Sequence, residues 1–223
     1  MEKLFTILLV LHIAGGLTGL IAGSINLIMK KGGQLHRKIG KIFVAAMITA
    51  GFSALGLSVI HPNYFLFMVG IFTIYMVGTG NRYVYFRLIG KDQKPKFLDW
   101  LLTVSMALSG ILLLGIGIWI LSGSNYFGIV FIVFGLFGLR FVTEDVKNYK
   151  GKSRFKNFWL VSHISRMTGG YIASVTAFLV VNAKYLPIQL PSVLIWLLPS
   201  LILVPFIIKW SRKMAVKKVI PSK

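Results

Sequence analysis

Apolar residues run in seven long blocks, at approximately 5–29, 39–60, 64–89, 98–121, 126–142, 157–182 and 190–210. Short polar connections separate them. Each block is near the length of about 20 residues that a helix needs to cross a bilayer core. The blocks are continuous rather than alternating, which predicts helices and disfavours the strands of a barrel. The fifth block is the shortest. Pro199 and Pro205 fall inside the seventh, where a membrane helix tolerates them. The first block exceeds the cleaved apolar stretch of about 7–15 residues in a signal peptide, so it reads as a span. The pattern therefore predicts an all-α, polytopic seven-transmembrane-helix bundle over residues 1–211, followed by a basic tail, 212–223.

The connections predict orientation. Those at 30–41, 87–96 and 147–156, and the tail from Lys209, are strongly basic. The alternate connections, at 61–64, 122–126 and 182–191, are short and nearly uncharged. Of the Lys and Arg, only Lys3 and Lys184 fall on the uncharged side, and Arg166 lies within a block. Basic connections stay in the cytoplasm. The N-terminus is then outside and the C-terminus cytoplasmic, as an odd number of spans requires. Tyr126, Tyr185, Trp100, Trp159 and Trp210 fall near block ends, where interfacial aromatics gather.

Composition adds three exclusions. The formal charge is +20 over 223 residues. Alone, that charge suggests a nucleic-acid partner. Its placement beside apolar blocks points instead to anionic lipid, with no nucleic acid. The absence of cysteine excludes disulfides, thiolate chemistry and cysteine-held metals. No Walker loop and no HExxH occurs. Charged residues make up 13% of the chain, about half the usual soluble share. Apart from Asp99, at the basic edge of the fourth, the apolar blocks hold no carboxylate, which argues against a proton pump built on buried acids.

Two blocks carry marked faces. On the first, His12, Gly15, Gly16, Gly19, Gly23 and Asn26 share a side. Small residues let helices approach closely in lipid, so the glycine stripe predicts a packing face. On the sixth, His163, Arg166 and Gly170 share a side. Arg166 lies about nine residues, or 14 Å, from the basic end by helical rise. A charge at that depth should face protein or water. Five further residues are expected in the same half: His36, Arg37, Arg82, Arg140 and Glu144.

Three readings of this cluster stand. In the first, His36, Arg37, Arg82, Arg140, Glu144, His163 and Arg166 line a site for a small or anionic ligand that is bound, transported or sensed. In the second, histidines hold a metal or haem b for electron transfer, with His36 and His163 as an inner pair and His12 and His61 as an outer pair. In the third, the polar groups only fix helix packing. The first predicts that Arg166→Ala lowers ligand binding more than stability. Whether the chain is an enzyme is left open.

Three segments carry a resemblance: LHIAGGLTGLIAGSINL at 11–27, LHRKIGKIFV at 35–44 and HISRMTGGYIASVTAFLVVN at 163–182. Together they resemble a bacterial multi-pass membrane-protein family catalogued only as a domain of unknown function. The HRxxG and HxxRM elements are its more specific parts. The resemblance runs from the first span through the sixth. It implies a protein of the bacterial cytoplasmic (inner) membrane and supplies no activity. It directs attention to His12, His36, Arg37, His163 and Arg166.

Overall fold

A computed structural model describes residues 2–89, 92–153, 155–185, 187 and 190–216, with the side chains of residues 64 and 65 excepted. Parts of the basic connections at residues 90, 91 and 154, and the tail from 217, lie outside the described residues. The chain is all-α. Its helices are α1 (Glu2–Ile28), α2 (Gln34–Ile60), α3 (Tyr64–Tyr83), α4 (Phe97–Ser122), α5 (Gly128–Tyr149), α6 (Phe158–Val181) and α7 (Ser192–Met214). A 3-10 turn covers Ala183–Tyr185.

Five of the seven, α1, α2, α4, α6 and α7, are long and apolar enough to cross a membrane. Their outward faces are greasy. Ile7, Ile13 and Leu17 on α1 and Leu108, Ile111 and Ile118 on α4 are all exposed. Apolar surface of this extent needs an apolar solvent. Together with the five candidate spans, it marks a multi-pass membrane protein.

The bundle is built from hairpins closed on small residues. α1 packs on α2 through Gly15, where an added Cβ would lie 2.7 Å from the Ala46 carbonyl oxygen. Gly19 lies against Met47, and Gly23 against Tyr171 and Phe43. Gly16 departs from the expected stripe, because nothing lies within 4 Å of where its Cβ would be. α4 and α5 close the same way, Gly117 against Gly128 and Gly110 against Gly135. α3 and α6 form the centre, since α3 touches α2, α4 and α6 while α6 touches α1, α3 and α7. Gly170 sits against Val77 of α3. At the end of α7, Val216 accepts from the Lys156 backbone N–H, tying that end to the start of α6.

Two elements depart from the apolar blocks. α3 stops at Tyr83, and the chain turns so that Tyr83, Phe86 and Ile89 pack inward on Tyr149 and Phe158. α5 continues past residue 142 to Tyr149, because Asp145, Asn148 and Tyr149 are all buried against neighbouring helices. Helix continuation there follows tertiary packing rather than local hydrophobicity.

Candidate functional site

The residues expected to form one cluster divide into four places. The first is the centre of the bundle. Arg166 of α6 is wholly buried, and its Nη2 donates to Asp145 Oδ1 at 2.5 Å and to the Phe141 carbonyl at 3.0 Å. Its guanidinium carbon lies 4.0 Å from the centre of the Phe141 ring, with Tyr75 and Tyr83 at 5.4 and 5.9 Å. Nε and Nη1 have no hydrogen-bond partner; the aromatic faces are what surrounds the cation. Such contacts are worth about 2 kcal/mol or more when desolvated.

Asp145 corrects the expectation that the helices hold no buried acid. It is carried inward by the extension of α5 and is fully buried. Tyr83 donates to its Oδ1 and Tyr75 to its Oδ2, each at 2.5 Å. Asn148 donates to the oxygens of Tyr83 at 3.1 Å and Ser162 at 3.3 Å. Ser162 donates to Glu144 Oε1 at 2.9 Å. The carboxylate compensates the guanidinium charge, and the expected imidazoles and arginines are not the companions of Arg166. Removing a partner from such a pair is costly because the other charge is left buried.

The second place is the start of α4. Arg82 grips Asp99 with Nε and Nη2 at 2.6 and 3.0 Å. Asp99 also accepts from the Lys96 backbone N–H at 2.7 Å, closing the first helical turn. A carboxylate is favourable at that helix end. Arg82 is thus committed to a structural pair with Asp99.

The third place is the outer surface. Arg140 is exposed and lies 3.7 Å from Glu144, one turn along α5. An exposed pair of this kind is worth at most about 1 kcal/mol. Arg140 does not belong to an interior site.

The fourth place is the basic end, where α1 stops and α2 and α6 begin. His163 Nδ1 lies 2.8 Å from the Gly80 carbonyl. A carbonyl only accepts, so Nδ1 carries the proton and Nε2 keeps its lone pair. His36 stands on the first turn of α2, ahead of the apolar block, and its Nδ1 is buried without a partner. Asn26 Oδ1, near the end of α1, is likewise buried and unpartnered. Lys31 donates to the carbonyls of Asn26, Leu27 and Met29 at 2.8, 2.6 and 2.9 Å. Burial lowers its pKa. Arg37 is exposed, with Nε 3.2 Å from the Gly32 carbonyl.

The expected outer pair is not assembled. His12 Nδ1 donates to the Ala50 carbonyl at 2.9 Å. His61 caps the far end of α2 and meets Phe5 edge-on at 4.6 Å. Ala50 and His61 are eleven residues apart, about 16 Å by helical rise, so the two imidazoles sit at different levels. Among the described residues, no group of three or more His, Asp or Glu is placed to hold a metal ion. Beyond these places, an open depression of about 650 Å³ lies at the opposite end, lined by Ser124, Asn125, Tyr126, Phe127, Ser192, Val193 and Trp196. It carries no charged group.

Four partners were not singled out from the sequence: Tyr75, Tyr83, Asn148 and Ser162. Their signal is spacing. Tyr75, Thr79 and Tyr83 recur every four residues on α3, and Ser162 precedes Arg166 by four on α6. Comparison with models of known protein families, with curated proteins and with solved structures finds no match.

Proposed function

We propose that the chain is a seven-span protein of the bacterial cytoplasmic membrane, N-terminus outside and C-terminus inside, that binds a small anion at its cytoplasmic mouth. The site lies between α1, α2 and α6, and His36, His163, Asn26 and Arg37 line it. Anionic lipid surrounds the basic end. The observation that carries this reading is the pair of buried, unpartnered polar atoms, His36 Nδ1 and Asn26 Oδ1, beside fixed cations. A buried polar atom without a partner is costly; an oxyanion can accept from an N–H on His36 Nδ1 and, with the Asn26 amide turned to present its NH₂, from Asn26. The sign of the ligand follows from the charges. Lys30, Lys31, Arg37 and Lys38 flank His36 in the chain, and no carboxylate occurs between Glu2 and Asp92. A cation is repelled there and an oxyanion attracted.

Orientation rests on the basic connections, which fall on alternate ends of the helices. Reporter fusions after Lys150 are expected to show cytoplasmic activity, and fusions near Asn125 the external kind. The reverse pattern overturns the orientation.

The ligand test is thermal denaturation of the detergent-purified chain in inorganic phosphate, against chloride of equal ionic strength. At one hundred times the dissociation constant, a bound anion adds about 2.7 kcal/mol to stability, a shift of several degrees. His36→Ala is expected to abolish the shift and Arg140→Ala to keep it. No shift in the unaltered chain contradicts the reading.

One observation favours a second reading, a b-type haem electron carrier. Gly80 takes the Nδ1 proton of His163 and leaves Nε2 its lone pair, as backbone carbonyls do for metal-ligating histidines. His36 and His163 would hold the iron; haem supplies one-electron transfer when bound. A Soret band lost in His163→Ala supports it, and a colourless preparation from haem-replete cells overturns it.

A further inference from the structure

α1 and α7 both pack on α6. At the basic end they approach each other, with Lys31 Nζ, just past the tip of α1, 5.9 Å from the centre of the Trp210 ring on α7. One turn deeper the same side of α7 is uncovered. The Phe206 ring lies 6.1 Å from that of Trp210, as residues four apart on a helix do, yet Phe206 is 48% exposed. Ile202, a further turn in, is exposed as well. On α1, Ile21 and Ile28 lie one turn to either side of Ser24, which bonds the Tyr171 hydroxyl of α6; both are exposed. α6 itself is half-buried along Ile164, Tyr171 and Val175, which share a side. The three helices thus leave an apolar slot, floored by α6, that runs from the basic rim toward the bilayer centre.

The slot leads to the mouth. Phe43 of α2 lies 3.1 Å from the position of a Cβ on Gly23 and 3.8 Å from one on Gly170, so these three residues mark one level. Seven residues toward the basic end lead from Phe43 to His36 and from Gly170 to His163, and return nearly to the same helix face. Three residues on from Gly23 is Asn26, whose Nδ2 lies 3.5 Å from where a Cβ on Gly40 would be, one turn above His36. Lys31 joins mouth and slot, because its ammonium is bound to the Asn26 carbonyl at 2.8 Å and also faces the Trp210 ring. Charge sets the sign of the occupant. Lys30, Lys31, Arg37 and Lys38 stand at the α1–α2 end, and Lys209, Arg212 and Lys213 at the end of α7. No carboxylate occurs between Glu2 and Asp92 or after Asp145, so neither end holds an acid to answer these charges. A basic pocket between membrane helices on the cytoplasmic side suits an anionic headgroup. A soluble anion needs no apolar slot beside its site; an anion that carries hydrocarbon chains does.

We propose, resting on the anion-site reading above, that the anion is the phosphate of an anionic glycerophospholipid of the cytoplasmic leaflet. It enters sideways beneath the Lys31–Trp210 rim, and its acyl chains lie in the slot between α1 and α7. An N–H on His36 Nδ1 and the Asn26 amide, turned to present its NH₂, donate to phosphate oxygens. Arg37, engaged through Nε with Gly32, adds its terminal nitrogens. Lys31 keeps its three carbonyls and acts as a fixed positive charge. Trp210 covers the glycerol ester level, where interfacial indoles sit. The bound lipid completes the packing between α1 and α7 that the protein leaves open.

The test uses the full chain, purified in detergent and stripped of lipid. Phosphatidylglycerol carrying a photoactivatable group in one acyl chain is added, and labelled peptides are read by mass spectrometry. Label is expected on the segments around Ile28 and Phe206, and is expected to fall when inorganic phosphate is added in excess. His36→Ala and Arg37→Gln are each expected to raise the lipid concentration needed for this label about ten- to hundredfold, the loss of one hydrogen bond to a charged group. Arg37→Gln alters an exposed side chain, so it carries the test if His36→Ala fails to fold. Phosphatidylcholine with the same photoactivatable chain is expected to label these segments weakly and without regard to either variant. Phosphatidylglycerol label that ignores inorganic phosphate and both variants marks lipid that merely surrounds the protein, and overturns the lipid assignment. If inorganic phosphate still raises the thermal stability of that preparation, the anion site stands without the lipid. Phosphate that neither displaces label nor shifts stability overturns the anion site as well.

Discussion

Arg166→Ala and Asp145→Ala are each expected to lower the stability of the folded chain by about 3–5 kcal/mol, the usual cost of stranding one member of a buried ion pair. The reason lies in the geometry rather than in the charge alone. Asp145 gathers Arg166, Tyr75 and Tyr83 from two other helices. Without the guanidinium, a carboxylate remains at full burial, held by the Tyr75 and Tyr83 hydroxyls and, at 3.5 Å, by that of Thr103. Without the carboxylate, the guanidinium keeps only the Phe141 carbonyl and three aromatic faces. Tyr83→Phe is expected to cost less, about 1–3 kcal/mol, because it strands one acceptor position and the Asn148 donor. Denaturant titration of the detergent-solubilised chain orders the three variants. This reverses the sequence expectation that Arg166→Ala acts on ligand binding first. Stability unchanged in Arg166→Ala would mean that the pair is not what joins α3, α5 and α6.

The second large effect is expected at the α4–α5 hairpin. A Cβ on Gly128 would collide with the Gly117 carbonyl oxygen, and the backbone nitrogen of Leu121 lies 2.8 Å from it. These are backbone atoms, which cannot rotate aside. Gly128→Val therefore has to push the two helices apart, costing about 1–3 kcal/mol or more. Gly115→Ala on the same helix pair meets nothing within 4 Å and is expected to fall within about 0.5 kcal/mol of the parent. The contrast is read by thermal denaturation. Equal effects at Gly115 and Gly128 would contradict the close approach.

Much of the architecture is legible in the chain because burial in lipid needs only length and apolarity. All seven blocks are helical. Their ends are less legible where side chains face inward. Tyr83 closes α3 because Phe86 and Ile89 turn into the core, and Asp145 lies in a helix because its partners are on α3 and α6. Neither fact is local, so hydropathy does not show it. The same non-local pairing divides the candidate cluster. Arg82 belongs with Asp99, seventeen residues away on another helix; Arg140 has the exposed face of α5; Arg166 belongs with Asp145. Sequence spacing identifies that His163 and Arg166 share a helix side, but not that His163 ends on Gly80 while Arg166 reaches Asp145. The Gly15, Gly19, Gly23 stripe was readable because every fourth residue meets the same neighbour. Gly16, one step off that row, meets none.

The account rests on the basic mouth holding one anion through His36. Equilibrium dialysis of the purified chain against radiolabelled sulfate at pH 6 measures this directly. The expected result is saturable uptake approaching one sulfate per chain, lost in His36→Ala and retained in Arg140→Ala. Uptake that fails to saturate, or that persists undiminished without His36, contradicts it.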